Sequence, residues 1–165
     1  MKNWVYGISG VLLVFPLGCG YTTDTLYRTY IKTIFIPVFE SQSFRRQVEF
    51  DLTGAVSRQI DLHTPYKVVS DLSRADSILQ GGILSIGETV LAQQRELDRP
   101  LENQVILTVS VNWKDLRNGD LIIENQIFQV SGDYAALLSS SSSSATRQAV
   151  NELAGRIVEK MEKPW

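Results

Sequence analysis

The sequence predicts an α+β two-layer sandwich, a mostly antiparallel sheet of four or five strands with two helices packed on one face. Three observations predict it. A strand-like run is followed at once by an apolar stripe that recurs every fourth residue. Three long segments then read as strands, two of them joined by Asn118-Gly119. A second amphipathic stripe closes the chain. With 165 residues, 44% of them hydrophobic and 21% charged, and only 5 Pro and 11 Gly, the chain suits one such domain and is too apolar for disorder.

The first segment stands apart from that domain. After Met1 and Lys2 no charge occurs until Asp24, the run from Trp4 to Leu17 is apolar, and Gly18 and Cys19 are small. That is the layout of a secretory signal peptide over residues 1–18. A transmembrane anchor is the competing reading, but it needs about 20 apolar residues, and Gly7, Ser9, Gly10, Pro16, Gly18 and Gly20 interrupt this run. Residues 19–30 are polar and aromatic and read as a tether; a single domain is expected over 31–163.

Within the domain, YIKTIFIPVF places Ile31, Phe35 and Phe39 on one face and Ile34, Ile36 and Val38 on the other, as in a central strand covered on both sides. Pro37 lacks an N–H, so one edge should be free or bulged there. Phe44, Val48, Leu52, Val56 and Ile60, with Ala55, then form a helical stripe that starts at an N-cap of Ser41 or Ser43 and stops before Pro65. YKVVS is a short strand and DLSRAD a polar turn. The segment 77–94 reads as a long strand in which Gly81, Gly82 and Gly87 mark a bend or bulges. In the next strand Val105, Leu107, Val109, Val111 and Trp113 face a core, while Ile106, Thr108, Ser110, Asn112 and Lys114 face water. Asn118-Gly119 turns the chain into LIIENQIFQVSGDYA. The serine run 139–144 reads as flexible. The stripe Val150, Leu153, Ala154, Ile157, Val158 and Met161 makes a second helix that docks on the sheet.

Charge and composition exclude several functions. The balance is 16 basic against 18 acidic residues, net −2 with a pI near 5.4, which argues against a nucleic-acid partner. One cysteine and one histidine cannot form an intramolecular disulfide or a zinc site of three or four Cys/His ligands. His63 falls at a helix end and reads as a C-terminal cap rather than a catalytic base. Asp71 and Asp76 flank one turn, Asp115 and Asp120 another, and Gly81-Gly82 lies inside a strand rather than a phosphate loop. No catalytic residue, metal or cofactor is expected, and the chain reads as a non-enzyme. Arg45 and Arg46 open the first helix, Arg95 and Arg99 lie in a polar connection, and Lys114 and Arg117 lie near the hairpin tip. The last four could hold phosphate or carboxylate groups of a ligand by charge-assisted bonds; the competing reading is surface charge balanced by Asp98, Glu102, Asp115 and Asp120.

Cys19 carries the sharpest local motif. LGCG after an apolar stretch resembles the lipobox of bacterial lipoproteins, whose cysteine thiol takes a diacylglycerol before cleavage on its N-terminal side. Pro16 stands where that pattern prefers Leu, and Leu17 comes one position late. A free structural or reactive thiol is the alternative. Two or three acyl chains hold a protein on a membrane stably, because each buried methylene contributes about 0.8 kcal/mol.

Beyond the lipobox, CGY at 19–21, IKTIFIPVFESQSFRRQVEFDLTGAVSRQI (31–60), RADSILQGGILSI (74–86) and WKDLRNGDLI (113–122) resemble the LptE family of lipopolysaccharide-assembly lipoproteins. The resemblance runs in the family's order from Cys19 to about Lys163. It implies the same α+β fold and an outer-membrane lipoprotein whose domain faces the periplasm or a barrel lumen. Its partners would be an LptD-like β-barrel that it plugs and helps to assemble, lipopolysaccharide, and the outer membrane through the acyl anchor. Gly20, in place of the aspartate that retains many enterobacterial lipoproteins in the inner membrane, favours the outer one. The serine run and Pro16 depart from the family pattern, and no ligand-binding residue matches by motif. Two other functions stay open at this level: a lipoprotein that regulates a peptidoglycan synthase by surface contact, and an enzyme using Cys19 as nucleophile.

Overall fold

The computed structural model describes residues 26–41, 47–94, 99–135 and 142–163, without the side chains of residues 90–102 and 135. Its elements are β1 (Thr33–Phe35), β2 (Glu40–Ser41), α1 (Val48–His63), β3 (Lys67–Val69), a short 3-10 turn (Leu72–Arg74), β4 (Ser77–Gln94), β5 (Arg99–Asp115), β6 (Leu121–Ala135) and α2 (Ser142–Lys160). The sheet runs β3-β1-β4-β5-β6, and β2 adds to the β4 edge beyond β1. The α+β class holds. Among the described residues the sheet has six strands, and it is mixed: β4, β5 and β6 form an antiparallel meander, while β1 is parallel to both β3 and β4. The parallel part follows from the strand–helix–strand unit β1-α1-β3, because the helix returns the chain to the end from which it started.

β1 is central, as its two-sided apolar pattern predicts, but the expected pairing of faces does not persist. Ile31, Ile34, Ile36 and Phe39 are buried, whereas Val38 is 48% exposed. Pro37 accounts for the difference. β1 pairs with Ser77 and Ile78 of β4, β2 with Gly82 and Ile83, and the chain leaves the ladder between them, where Pro37 has no N–H to offer.

α1 begins later than predicted. Its N-cap is Gln47, without a side-chain cap bond, because Ser41 is spent in β2; Ser43, Phe44, Arg45 and Arg46 lie outside the described residues. Glu49 and Asp51 in the first turn complement the helix dipole instead. Thr53 Oγ1 donates to the Glu49 carbonyl at 2.7 Å and accepts the Phe39 N–H at 3.1 Å, so one hydroxyl fastens the helix to the β1–β2 link. The helix stops before Pro65, as predicted, with the Thr64 N–H bonded to the Ile60 carbonyl.

The alternation in β5 is observed as predicted: Val105, Leu107, Val109, Val111 and Trp113 are all 0% exposed. β6 is less simple. Ile123 is buried opposite Trp113, yet farther along Val130 and Gly132 are buried, a change of parity that an unbroken strand cannot make. A bulge supplies it. Glu124 and Asn125 together oppose Asn112, Asn125 is left-handed with φ 42°, and its N–H is held by Asn112 Oδ1 at 2.7 Å. Asn125→Val should therefore lower stability by about 1–2 kcal/mol, the cost of a side chain that rejects left-handed backbone, while Asn125→Gly should be close to neutral. Denaturant melts of the two variants check this, and equal midpoints contradict it.

The β4 glycines have a different role from the one predicted. The register shift nearest to them falls at Leu84, between Ile83 and Ser85. At Gly81, a Cβ would collide with the Phe39 ring, so the glycine lets that ring lie flat on the sheet. Gly119 is the left-handed residue of the β5–β6 hairpin, φ 81°, in a loop longer than a two-residue turn. The serine run is corrected in part: Ser142, Ser143 and Ser144 form the first turn of α2, and residues 139–141 lie outside the described residues. Tertiary packing decides this, since Ala145, Ala149, Leu153 and Ile157 are buried against the sheet.

Candidate functional site

α1 and α2 cover the sheet face that carries Leu79, Ile83, Val109 and Val111. The opposite face of the meander carries mostly neutral polar side chains, Gln80, Thr89, Gln104, Thr108, Ser110, Asn112, Gln129 and Ser131, with Ile106, Ile127 (54% exposed) and Asp133 among them. Where the β1–β2 link swings away from β4, this face sinks into a depression of about 410 Å³, lined by Pro37, Val38, Glu40, Gln80, Gly82, Ser110 and Asn112 among others. Gly82 leaves its floor open. Amide and hydroxyl groups of this kind make hydrogen bonds to a facing surface. They supply neither a nucleophile–base pair nor a cluster of charge.

A second constellation sits at the end of the sheet where β1, β3 and β4 begin and β5 ends. Trp113, buried on β5, donates its indole N–H to Ser77 Oγ at 3.0 Å. Tyr66 meets its ring edge-on at 5.7 Å, Tyr27 meets Tyr66 likewise, and the Arg28 guanidinium lies 5.2 Å from the Trp113 ring centre. Burial pushes the Tyr66 hydroxyl pKa up, and that oxygen accepts the Arg28 N–H at 2.9 Å. Beside this cluster Asp76 accepts the N–H groups of Lys32 (2.8 Å) and Thr33 (3.0 Å), tying the start of β1 to the start of β4. Asp115, 2% exposed, is gripped by Arg117 through its backbone N–H and its guanidinium, and Arg117 also stacks 5.0 Å from the Tyr30 ring.

These bonds carry a pH dependence. The Lys32 N–H holds the Asp76 carboxyl below the usual carboxylate range, and the Arg117 side chain does the same for Asp115. A depressed folded-state pKa contributes stability that is present at neutral pH and lost as pH falls through it, below about pH 4. The melting midpoint should therefore fall as pH drops through that range, and Asp115→Asn should flatten the fall. A wild-type midpoint unchanged down to about pH 3 contradicts this.

The residues singled out in the sequence are dispersed. Cys19 and Arg95 lie outside the described residues. Arg99 opposes Gln94 at the far end of the β4–β5 ribbon, whereas Lys114 and Arg117 are at the other end, about 50 Å away at the rise of an extended strand. Arg99 therefore cannot grip one headgroup together with Lys114 and Arg117. Lys114 is exposed, while Arg117 is already committed to Asp115. His63 is the last residue of α1 and exposed; its carbonyl accepts the Tyr27 hydroxyl at 3.0 Å. Asp71 caps the 3-10 turn through Ser73, and Asp120 bonds Asn118, both as turn chemistry predicts. Residues 26–30, read as tether, pack into this end of the domain, where the Leu26 carbonyl accepts the Lys163 N–H at 2.8 Å. Sequence reasoning missed Arg28, Tyr66 and Ser77. One signal was present, since a tryptophan on a core-facing strand position needs a buried acceptor for its N–H.

The model of the LptE family, lipopolysaccharide-assembly, matches residues 31–161, every element from β1 to the end of α2. The chain belongs to the LptE family. Solved structures with the same fold include rare lipoprotein B from Shewanella oneidensis (14% identity, TM-score 0.52, covering 79% of this chain and 93% of that one). Another is a lipoprotein B from Nitrosomonas europaea (15%, 0.51, 77% and 82%). The PelC dodecamer from Paraburkholderia phytofirmans is also similar (8%, 0.56, 83% and 93%). At these identities the likeness is one of fold. Among curated proteins, none matches in sequence. LptE proteins are lipoproteins of the outer membrane without enzymatic activity. Among the described residues of this LptE-family chain, no helix is long and apolar enough to cross a membrane.

Proposed function

We propose that this chain is an outer-membrane lipoprotein, cleaved after residue 18 and acylated at Cys19, that plugs and helps to assemble an LptD-type β-barrel and contacts lipopolysaccharide on its way to the cell surface. It acts by surface contact and not as an enzyme. The observation that carries this reading is the family match over residues 31–161. The uncovered sheet face supports it: a barrel lumen is polar, and this face offers neutral amides and hydroxyls on rigid strands rather than an apolar patch. For the lipid, Lys114 and Arg117 at one end of the ribbon, Arg99 at the other, and Arg95 are the proposed contacts.

Affinity purification from detergent-solubilised outer membranes tests the reading. It should recover a large β-barrel whose electrophoretic mobility changes on heating. Repeated recovery of a peptidoglycan synthase and no barrel would overturn it.

A further inference from the structure

We infer that the end of the domain where Leu26 meets Lys163 is a docking surface for the anionic leaflet that carries its acyl chains, used by the protein when no barrel surrounds it. The inference rests on the acylation of Cys19 proposed above. Only residues 20–25 separate that cysteine from the first described residue, Leu26, a span of at most about 25 Å fully extended. An anchor so short keeps this end near the headgroups, and what the end exposes suits them.

Leu26 (41% exposed), Tyr30 (51%), Leu116 (38%) and Leu121 (50%) all lie here: at the chain entry, on the hairpin, and at the first residue of β6. Tyr30 and the hairpin are joined by the Arg117 stack, and Leu116 is held to the start of β4 by its N–H on the Asp76 carbonyl at 2.9 Å. Four exposed cations share the end, fixed there by strand register: Lys32 before β1, Lys67 opposite Thr33, Arg74 whose carbonyl accepts the Thr33 hydroxyl, and Lys114 opposite Ile78 and Leu121. None of these four side chains is paired with a carboxylate. Of the acids nearby, Asp76 is held by backbone amides and Asp115 by Arg117, while Asp71 and Asp120 stay exposed, bonded to Ser73 and Asn118 in their turns. Along the rest of the ribbon the described charged side chains are acidic, Glu88, Glu124 and Asp133. Exposed leucines and a tyrosine ringed by lysine and arginine, beside a short acyl tether, supply the second attachment that an anchored chain adds to its lipid. A groove of about 470 Å³ lined by Leu26, Tyr27, Ile31 and Pro65 among others adjoins this surface and widens its apolar area.

The test uses the full acylated chain in vesicles of phosphatidylethanolamine with a minority of phosphatidylglycerol, without barrel. A fluorophore is placed at Leu121→Cys, at Leu116→Cys as a second site, or at Thr89→Cys at the far end, and quenched with brominated lipids. Quenching at 121 and 116 should exceed that at 89 by about threefold or more, and Arg74→Glu with Lys114→Glu should remove most of the excess while the vesicles still carry the protein. Equal quenching at both ends of a chain whose intact mass shows acylation overturns the docking surface alone. An unacylated Cys19 in the mature chain overturns both it and the reading on which it rests.

Discussion

Trp113→Ala should cost the domain about 3–5 kcal/mol, the range for a large aromatic removed from a packed core. Its side chain is the largest that is fully buried, and it is surrounded by unlike partners: the Ser77 hydroxyl, the Tyr66 edge and the Arg28 guanidinium. Truncation leaves a cavity and also strips Ser77, itself 0% exposed, of the donor it accepts. Trp113→Phe should recover much of the packing but not that bond, and so fall between the two. Urea melts of the three proteins check the order. A Trp113→Ala variant within about 1 kcal/mol of wild type would show that the cluster does not hold Tyr27 and Arg28 to the sheet.

Gly132→Val is expected to be the next most damaging single change, at about 3 kcal/mol or more, by overpacking rather than by loss. Gly132 lies on β6 opposite Val105, directly beneath the first turns of α2, and a Cβ there would strike the carbonyl of Ala145. Backbone cannot move aside as a flexible side chain does, so α2 must lift from the sheet. Amide hydrogen exchange should show protection lost first in α2 near Ala145 and Ala149, with β4 and β5 still protected. Uniform loss across the domain, or none, would contradict this.

How much of this architecture was legible depends on whether the governing interaction is local. β5 was readable because a period of two runs unbroken from Val105 to Trp113, where every second residue is buried. α2 was readable from its stripe, but its first turn was not, because serines carry little helical preference and the packing of Ala145 on β6 is not visible in the sequence. Ser41 looked like a helix cap and became strand, since pairing with Ile83 of β4 outweighs a local cap. The β6 bulge was hidden: Ile123 and Val130 lie on the same face only because Asn125 adopts a left-handed backbone, and nothing in ENQ announces that. The site divides in the same way. Cys19 stands in a contiguous motif and can be read directly. The cluster at the domain end draws together Arg28, the segment from Tyr66 to Asp76, and the segment from Trp113 to Arg117, three separate parts of the chain that only the topology makes neighbours.

The central claim is that the uncovered sheet face lies against a barrel. Photocrosslinking in living cells tests it most directly, with a crosslinking residue at Ser110, Thr108 or Gln129 of the full acylated chain. An adduct with a large outer-membrane β-barrel, recognised by its altered mobility on heating, is expected. Adducts with a periplasmic enzyme from these positions, and none with a barrel, would contradict it.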